Sequence, residues 1–157
     1  MAIQYVTGDA TKPLGKDPRI IVHVCNDIGG WGRGFVLALS KRWKAPERQY
    51  REWSKGRGHP PFALGQVQFV GVEEALWVAN LIGQHGTKKR TNPEPVRYEA
   101  IRAGLSRVAE FAKQQDASVH MPRIGSGLAG GDWDQVKTII EEELTAKGIA
   151  VTVYELP

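Results

Sequence analysis

The chain has 157 residues, 41% hydrophobic and 24% charged, proportions ordinary for one soluble globular domain. No apolar run is long enough to cross a bilayer, and Met1 to Thr7 lacks the basic-then-apolar pattern of a secretory leader, so a cytoplasmic protein is expected. The net charge of +4 asks for an anionic partner, but without a lysine-rich tail or an aromatic-interleaved basic stripe nucleic acid is not the favoured one.

In chain order, Ile3–Val6 and Ile20–Val24 are short β-branched runs, as strands covered on both faces are. Phe35, Leu39 and Trp43 fall four apart and predict a helix; Pro46 opens another that runs through Tyr50 and Trp53. Ser54 to Pro61, rich in Gly, Pro and charge, is a surface loop. Gln66–Val70 alternates apolar and glutamine positions, a strand with one wetter face that pairs through Glu73–Glu74 with the apolar strand Leu76–Ile82. After a second loop, Gly83 to Pro95, the residues Tyr98, Ile101, Leu105, Val108 and Ala112 form a helical stripe. Strand Val119–Met121, a helix carrying Trp133, Val136, Ile140 and Leu144 behind a capping pattern at Asp132 and Gln135, and strand Val151–Tyr154 complete the chain. The pattern predicts an α/β fold, a three-layer α/β/α sandwich on a central mixed sheet of about six strands, as one domain over residues 1–157.

Two glycine loops carry the chemical signal. Asn26-Asp27-Ile28-Gly29-Gly30-Trp31-Gly32-Arg33-Gly34 joins a strand to a helix and holds four glycines in six positions, a density that is costly unless the backbone must approach something closely. Phosphate is the usual partner, because free N–H groups at a helix start and the helix dipole favour anions. The spacing fits neither a Walker A loop nor a Rossmann fingerprint. A second loop, Pro122-Arg123-Ile124-Gly125-Ser126-Gly127-Leu128-Ala129-Gly130-Gly131, again runs from a strand into a helix. Two such loops at the carboxyl ends of strands can clamp a diphosphate; a pair of tight turns needing positive φ is the competing reading.

These residues resemble the macrodomain family nearly end to end. The strings Met121-Pro122-Arg123-Ile124-Gly125, Gly127, Trp133 and Val151-Thr152-Val153-Tyr154 are similar to its terminal ADP-ribose protein glycohydrolase branch. His23, Cys25-Asn26, Trp31-Gly32 and Gly34 are similar to the yeast ADP-ribose-1″-phosphate phosphatase. The resemblance implies that Asp9 and Ala10 meet adenine, Asp9 accepting from its amino group. It implies that Asn26, Gly30, Trp31, Gly32 and Gly34 serve the distal ribose and the phosphates. Ile124, Gly125, Ser126, Gly127, Leu128, Ala129 and Gly130 would then form a second phosphate loop, and Tyr154 would cover adenine. The implied activity is hydrolysis of an ADP-ribosyl bond, on mono-ADP-ribosylated acidic side chains, with a non-catalytic ADP-ribose reader or a 1″-phosphate phosphatase as alternatives. The implied partners are ADP-ribose and ADP-ribosylated protein, bound by a monomer.

The chain departs from that branch at two places. The branch's lysine aligns with Gln84 without a gap, or with Lys88 of Thr87-Lys88-Lys89-Arg90 with one, and its aspartate is Ala129, leaving Asp132 at most a displaced substitute. Lys88 then reads as a surface cation. The catalytic candidates become Asn26 for the ribose, Asp27 as base or water-positioning group, and His85 as an acid–base group in reserve. A loop-capping carboxylate and a solvated loop histidine are the competing readings of Asp27 and His85. His23 reads as a hydrogen-bonded core histidine and Cys25 as a packed thiol. The four histidines show no metal-ligand spacing, so neither a metal nor a cofactor is expected.

Overall fold

The computed structural model describes residues 1–157, the side chain of Leu128 excepted. Six strands form one sheet: β1 (Gln4–Thr7), β2 (Arg19–Asn26), β3 (Val67–Glu73), β4 (Leu76–Gln84), β5 (Ser118–Met121) and β6 (Val151–Glu155). Their order is β1-β6-β5-β2-β4-β3, and every neighbouring pair is parallel except β3 with β4. The mixed six-strand sheet is the one the sequence predicts.

Helices α1 (Phe35–Arg42) and α2 (Ala45–Ser54) lie on one face of the sheet, α3 (Tyr98–Gln115) and α4 (Trp133–Glu143) on the other. The period-two alternation of strand side chains explains this division. In β2, Ile20 and Val22 join the core under α3 and α4, whereas Ile21 and Cys25 join the one under α1 and α2. A central strand buried on both sides has no polar face to show, which is why the run reads as continuously apolar. The α3 stripe of Ile101, Leu105, Val108 and Ala112 is buried as its spacing demands. Asp132 caps α4 by accepting from the Asp134 N–H at 3.0 Å, so the cap closes on the second helical residue and not on Gln135 as a capping box would.

Two details place the site. The loop after β2 runs to one face of the sheet and the loop after neighbouring β5 runs to the other, which opens a crevice at the carboxyl ends of the two strands. The β2–β4 register slips at Cys25 and Asn26, where Cys25 faces Ile82 but Asn26 faces Gln84, and this irregularity turns Asn26 into the crevice mouth.

Helix α3 approaches β4 closely because Gly104 has no side chain: a Cβ there would stand 2.4 Å from Cγ of Leu81. Gly104→Ala should therefore lower the unfolding free energy by about 1–3 kcal/mol, the range for overpacked cores, against the gain that alanine gives an unstrained helix. Denaturant titration reads the sign directly, and a stabilised variant would mean that the α3–β4 seam is looser than described.

Candidate functional site

The two glycine loops frame a cavity of about 590 Å³. The first loop is built on Asn26, which is only 8% exposed. Its Oδ1 accepts the Ile28 and Gly30 N–H groups, each at 3.0 Å, and its Nδ2 donates to the Gly30 carbonyl at 3.0 Å. The Tyr50 hydroxyl donates to the Asn26 carbonyl at 2.7 Å and lies 2.9 Å from Oδ1. Gly30 has to be glycine here, since a Cβ would sit 2.9 Å from Nδ2 of Asn26. Asn26 lines the cavity; Oδ1 and one Nδ2 N–H shape the loop, and the second Nδ2 N–H has no partner among the described residues.

Of the other expected residues, Gly30, Trp31, Gly32, Gly34, Ile124, Gly125, Ser126 and Ala129 line the cavity. Gly127 does not, and the side chain of Leu128 lies outside the described residues. Gly130 is explained by packing, because at φ 74° its Cβ would stand 2.9 Å from the Pro93 carbonyl. Neither Gly130 nor Asp132 reaches the cavity.

Asp27 and His85 also stand off the cavity wall, where they hold each other. The Asp27 carboxylate accepts the Gly86 N–H at 2.7 Å and meets Nδ1 of His85 at 2.7 Å, the histidine being 62% exposed. Partial burial works against the charge of Asp27, but the Gly86 N–H and the His85 ring outweigh it and keep the carboxyl below its usual range. A carboxylate so engaged is a weak base and a good clasp. It ties the first glycine loop to the segment after β4, and Val96 N–H ties that segment to the second loop through the Ala129 carbonyl at 3.0 Å. Gln84, at the end of β4, and Thr87 and Lys88 of the clasped segment line the cavity, Lys88 as an exposed surface cation.

The wall carries three cations, Arg33, Lys88 and Arg123, and among the described lining residues no Asp or Glu. The first turn of α1, at Gly34, Phe35 and Val36, faces the same space. This is an anion site with apolar sides. His23 and Cys25 border it from β2. Burial drives the His23 pKa down to about 4 despite a 2.5 Å hydrogen bond to Asn80, so the ring is neutral and donates from Nε2 to Oδ1 of Asn80. Burial also pushes the Cys25 thiol well up, which leaves it a packed sulfhydryl.

Asp9, Ala10 and Tyr154 do not line the cavity; Asp9 folds its own loop by accepting the Thr11 N–H and hydroxyl on Oδ1, both at 2.8 Å, and Ala10 is buried. Tyr154 is 4% exposed. Its hydroxyl accepts the Leu14 N–H at 2.9 Å and donates to Nδ1 of His120 at 2.7 Å, so the ring props the Gly8–Leu14 segment from beneath. That corrects the expectation that Tyr154 covers a base. Sequence reasoning missed His23, Arg33, Phe35, Thr87 and Arg123 as wall residues; the signal for the two arginines was that each glycine loop holds one basic residue.

Fold and cavity together define an α/β anion-binding domain with its ligand crevice between two strand-to-helix glycine loops. No protein-family model matches the sequence. The chain is similar to the ADP-ribose glycohydrolase OARD1 of Homo sapiens, 38% identical over 155 residues that take in 98% of this chain and 91% of that protein. It is similar to the chromodomain-helicase-DNA-binding protein 1-like of Danio rerio, 33% identical over 98% of this chain, but it spans only 15% of that relative's length. A solved macrodomain protein from Streptomyces coelicolor superposes with a TM-score of 0.88 at 55% identity, covering 99% of each chain. The chain belongs to the macrodomain family.

Removing the Asn26 amide should open the first loop. Asn26→Ala strands the Ile28 and Gly30 N–H groups and should cost about 2–3 kcal/mol of stability by chemical denaturation, whereas a neutral result would show that the loop holds itself.

His23 and His120 are both lowered from 6.5 to about 4 by burial, with Arg19 adding to the effect at His120. Their contribution is complete above pH 6.5 and is lost as pH falls toward 4, because the unfolded chain takes up the protons first. Each should remove on the order of 3 kcal/mol across that window. Urea midpoints at pH 7, 5.5 and 4 test this, with His120→Gln halving the histidine share; a midpoint independent of pH would place both rings in water.

Proposed function

We propose that this macrodomain binds ADP-ribose and hydrolyses ADP-ribosyl bonds, releasing mono-ADP-ribose from acidic side chains of proteins. The observation that carries the reading is the cavity wall: backbone loops on both sides, three cations and no described carboxylate, the complement of a diphosphate. The similarity to a relative named as an ADP-ribose glycohydrolase supports the bond that is broken.

The arrangement favours catalysis by positioning. Arg33 and the first turn of α1 hold the diphosphate, and the clasped segment brings Gln84, Thr87 and Lys88 toward the distal ribose. The Lys88 charge adds to the attraction of the anionic ligand, while water attacks the ribose and the carboxylate leaves in a space whose donors are already fixed. Ala129 offers no carboxylate to drive a lysine adduct, so the reaction proceeds without one. Asp27 acts through the clasp, holding Gly86 and with it the segment that carries Lys88. A non-catalytic ADP-ribose reader is the second reading, favoured by the same lack of a carboxylate in the wall.

Single-turnover release of ADP-ribose from an automodified acidic protein separates the two. The parent should release it, Asp27→Ala should slow release about tenfold or more by freeing the segment, and His85→Ala should do so less. Lys88→Ala should weaken binding a few-fold and still turn over at saturation. Binding without release by the parent establishes the reader, and an adduct trapped on Lys88 by mass spectrometry sinks the adduct-free route.

A further inference from the structure

We propose that Lys89 and Arg90, at the exposed tip of the clasped segment, form a docking rim for the protein that carries the modification, and that the rim selects modified carboxylates standing in an acidic stretch of chain. The proposal rests on the ADP-ribose reading above and concerns the part of the substrate that lies outside the cavity.

Between β4 and α3 the chain passes the cavity at Thr87 and Lys88 and turns back at Lys89-Arg90-Thr91-Asn92. The turn is closed from both ends: the Lys89 N–H donates to the Asn92 carbonyl at 3.2 Å, and the Asn92 N–H donates to the Lys89 carbonyl at 2.9 Å. Asn92 also anchors its base, since Nδ2 donates to the His85 carbonyl at 2.7 Å and to the Thr87 carbonyl at 3.2 Å. His85 in turn meets Asp27, so the turn is joined to the clasp. Its backbone is therefore fixed beside the cavity mouth, yet Lys89 and Arg90 are exposed and neither makes an ion pair among the described residues. Arg51, Arg57 and Arg102, by contrast, are met by Glu47, Glu52 and Glu142. The one carboxylate between β4 and α3, Glu94, lies on the other limb of the segment, where a Cβ on Gly130 would stand 3.4 Å from its Cγ.

That placement decides what the two cations meet. Lys88 borders the cavity and acts on the ligand itself; Lys89 and Arg90 follow it outward. In the ADP-ribose reading the bond to the carrier leaves from the distal ribose, beside Gln84, Thr87 and Lys88, so the carrier chain passes over the next residues along. Free cations on a fixed turn there attract carboxylates that flank the modified one. Nucleic acid is the other polyanion, but a single-strand groove adds aromatic platforms to its basic track, and the stretch from β4 to α3 holds no Phe, Tyr or Trp. Flanking carboxylates need no such platform. Exposed pairs are individually weak, so the rim sorts substrates and leaves most of the affinity to the cavity.

The test uses the double variant Lys89→Gln/Arg90→Gln, checked for the parent's melting temperature, and calorimetry with two peptides. Each carries ADP-ribose through a glutamine amide, which reads binding without release; one is flanked by Asp and Glu, the other by Ser and Gly. At low salt the parent should bind the acidic peptide about threefold to tenfold more tightly, and about 0.5 M salt should erase the difference. The double variant should bind both peptides equally and free ADP-ribose like the parent. A parent without the preference, a variant that keeps it, or an equal loss for both peptides and free ADP-ribose would each overturn the rim while leaving the ADP-ribose reading in place. An oligonucleotide bearing ADP-ribose on its terminal phosphate serves as a third probe, and a larger loss for it than for the acidic peptide would give the rim to nucleic acid and overturn the proposal. A parent that binds no ADP-ribose at all defeats the ADP-ribose reading itself, and the rim with it.

Discussion

The site depends on one side-chain amide. Asn26 leaves β2 at a slip in the β2–β4 register and closes a ring of hydrogen bonds with Ile28, Gly30 and Tyr50. Backbone polar groups buried in a loop must find partners, and a glycine-rich loop has no side chains of its own to supply them. The amide of Asn26 supplies two acceptor contacts and one donor contact to the backbone of that loop. The wall of the cavity is therefore preorganised around a residue that itself borders it.

A second layer of constraint joins the loops to one another. The segment after β4 is held on one side by Asp27 through Gly86 and His85, and on the other by the Ala129 carbonyl through Val96. Three irregular stretches thus position each other, and their chemistry-bearing groups, Arg33, Lys88 and Arg123, come one from each. Chemistry by positioning needs such mutual support, since a displacement of about an ångström in a reacting geometry is costly.

Much of this was legible in the sequence. The six strands and the division of helices follow from alternation and from four-residue spacing, as in Ile20 to Val24 and in the α3 stripe. The two glycine loops were found by density alone. What the residues could not reveal is which groups would be spent internally. Tyr154 and Gly130 have the right types at the right places, yet each is consumed by neighbours distant in sequence: His120 with Leu14, and the Pro93 carbonyl. Local patterns carry no record of such partners. Lys88 is exposed, as a lysine in a basic loop should be, and its place beside the cavity follows from the way the loop is pinned back.

The division of the interior has a mechanical consequence. The sheet separates two cores, one beneath α1 and α2 and one beneath α3 and α4, and the cavity lies where a loop from each side meets the other. A molecule seated there is grasped by both outer layers together, across the open end of a sheet that otherwise keeps them apart. Occupancy thus adds a tie to those the clasped segment already makes between the two loops, and whatever binds only the folded form raises the stability of the whole domain by linkage.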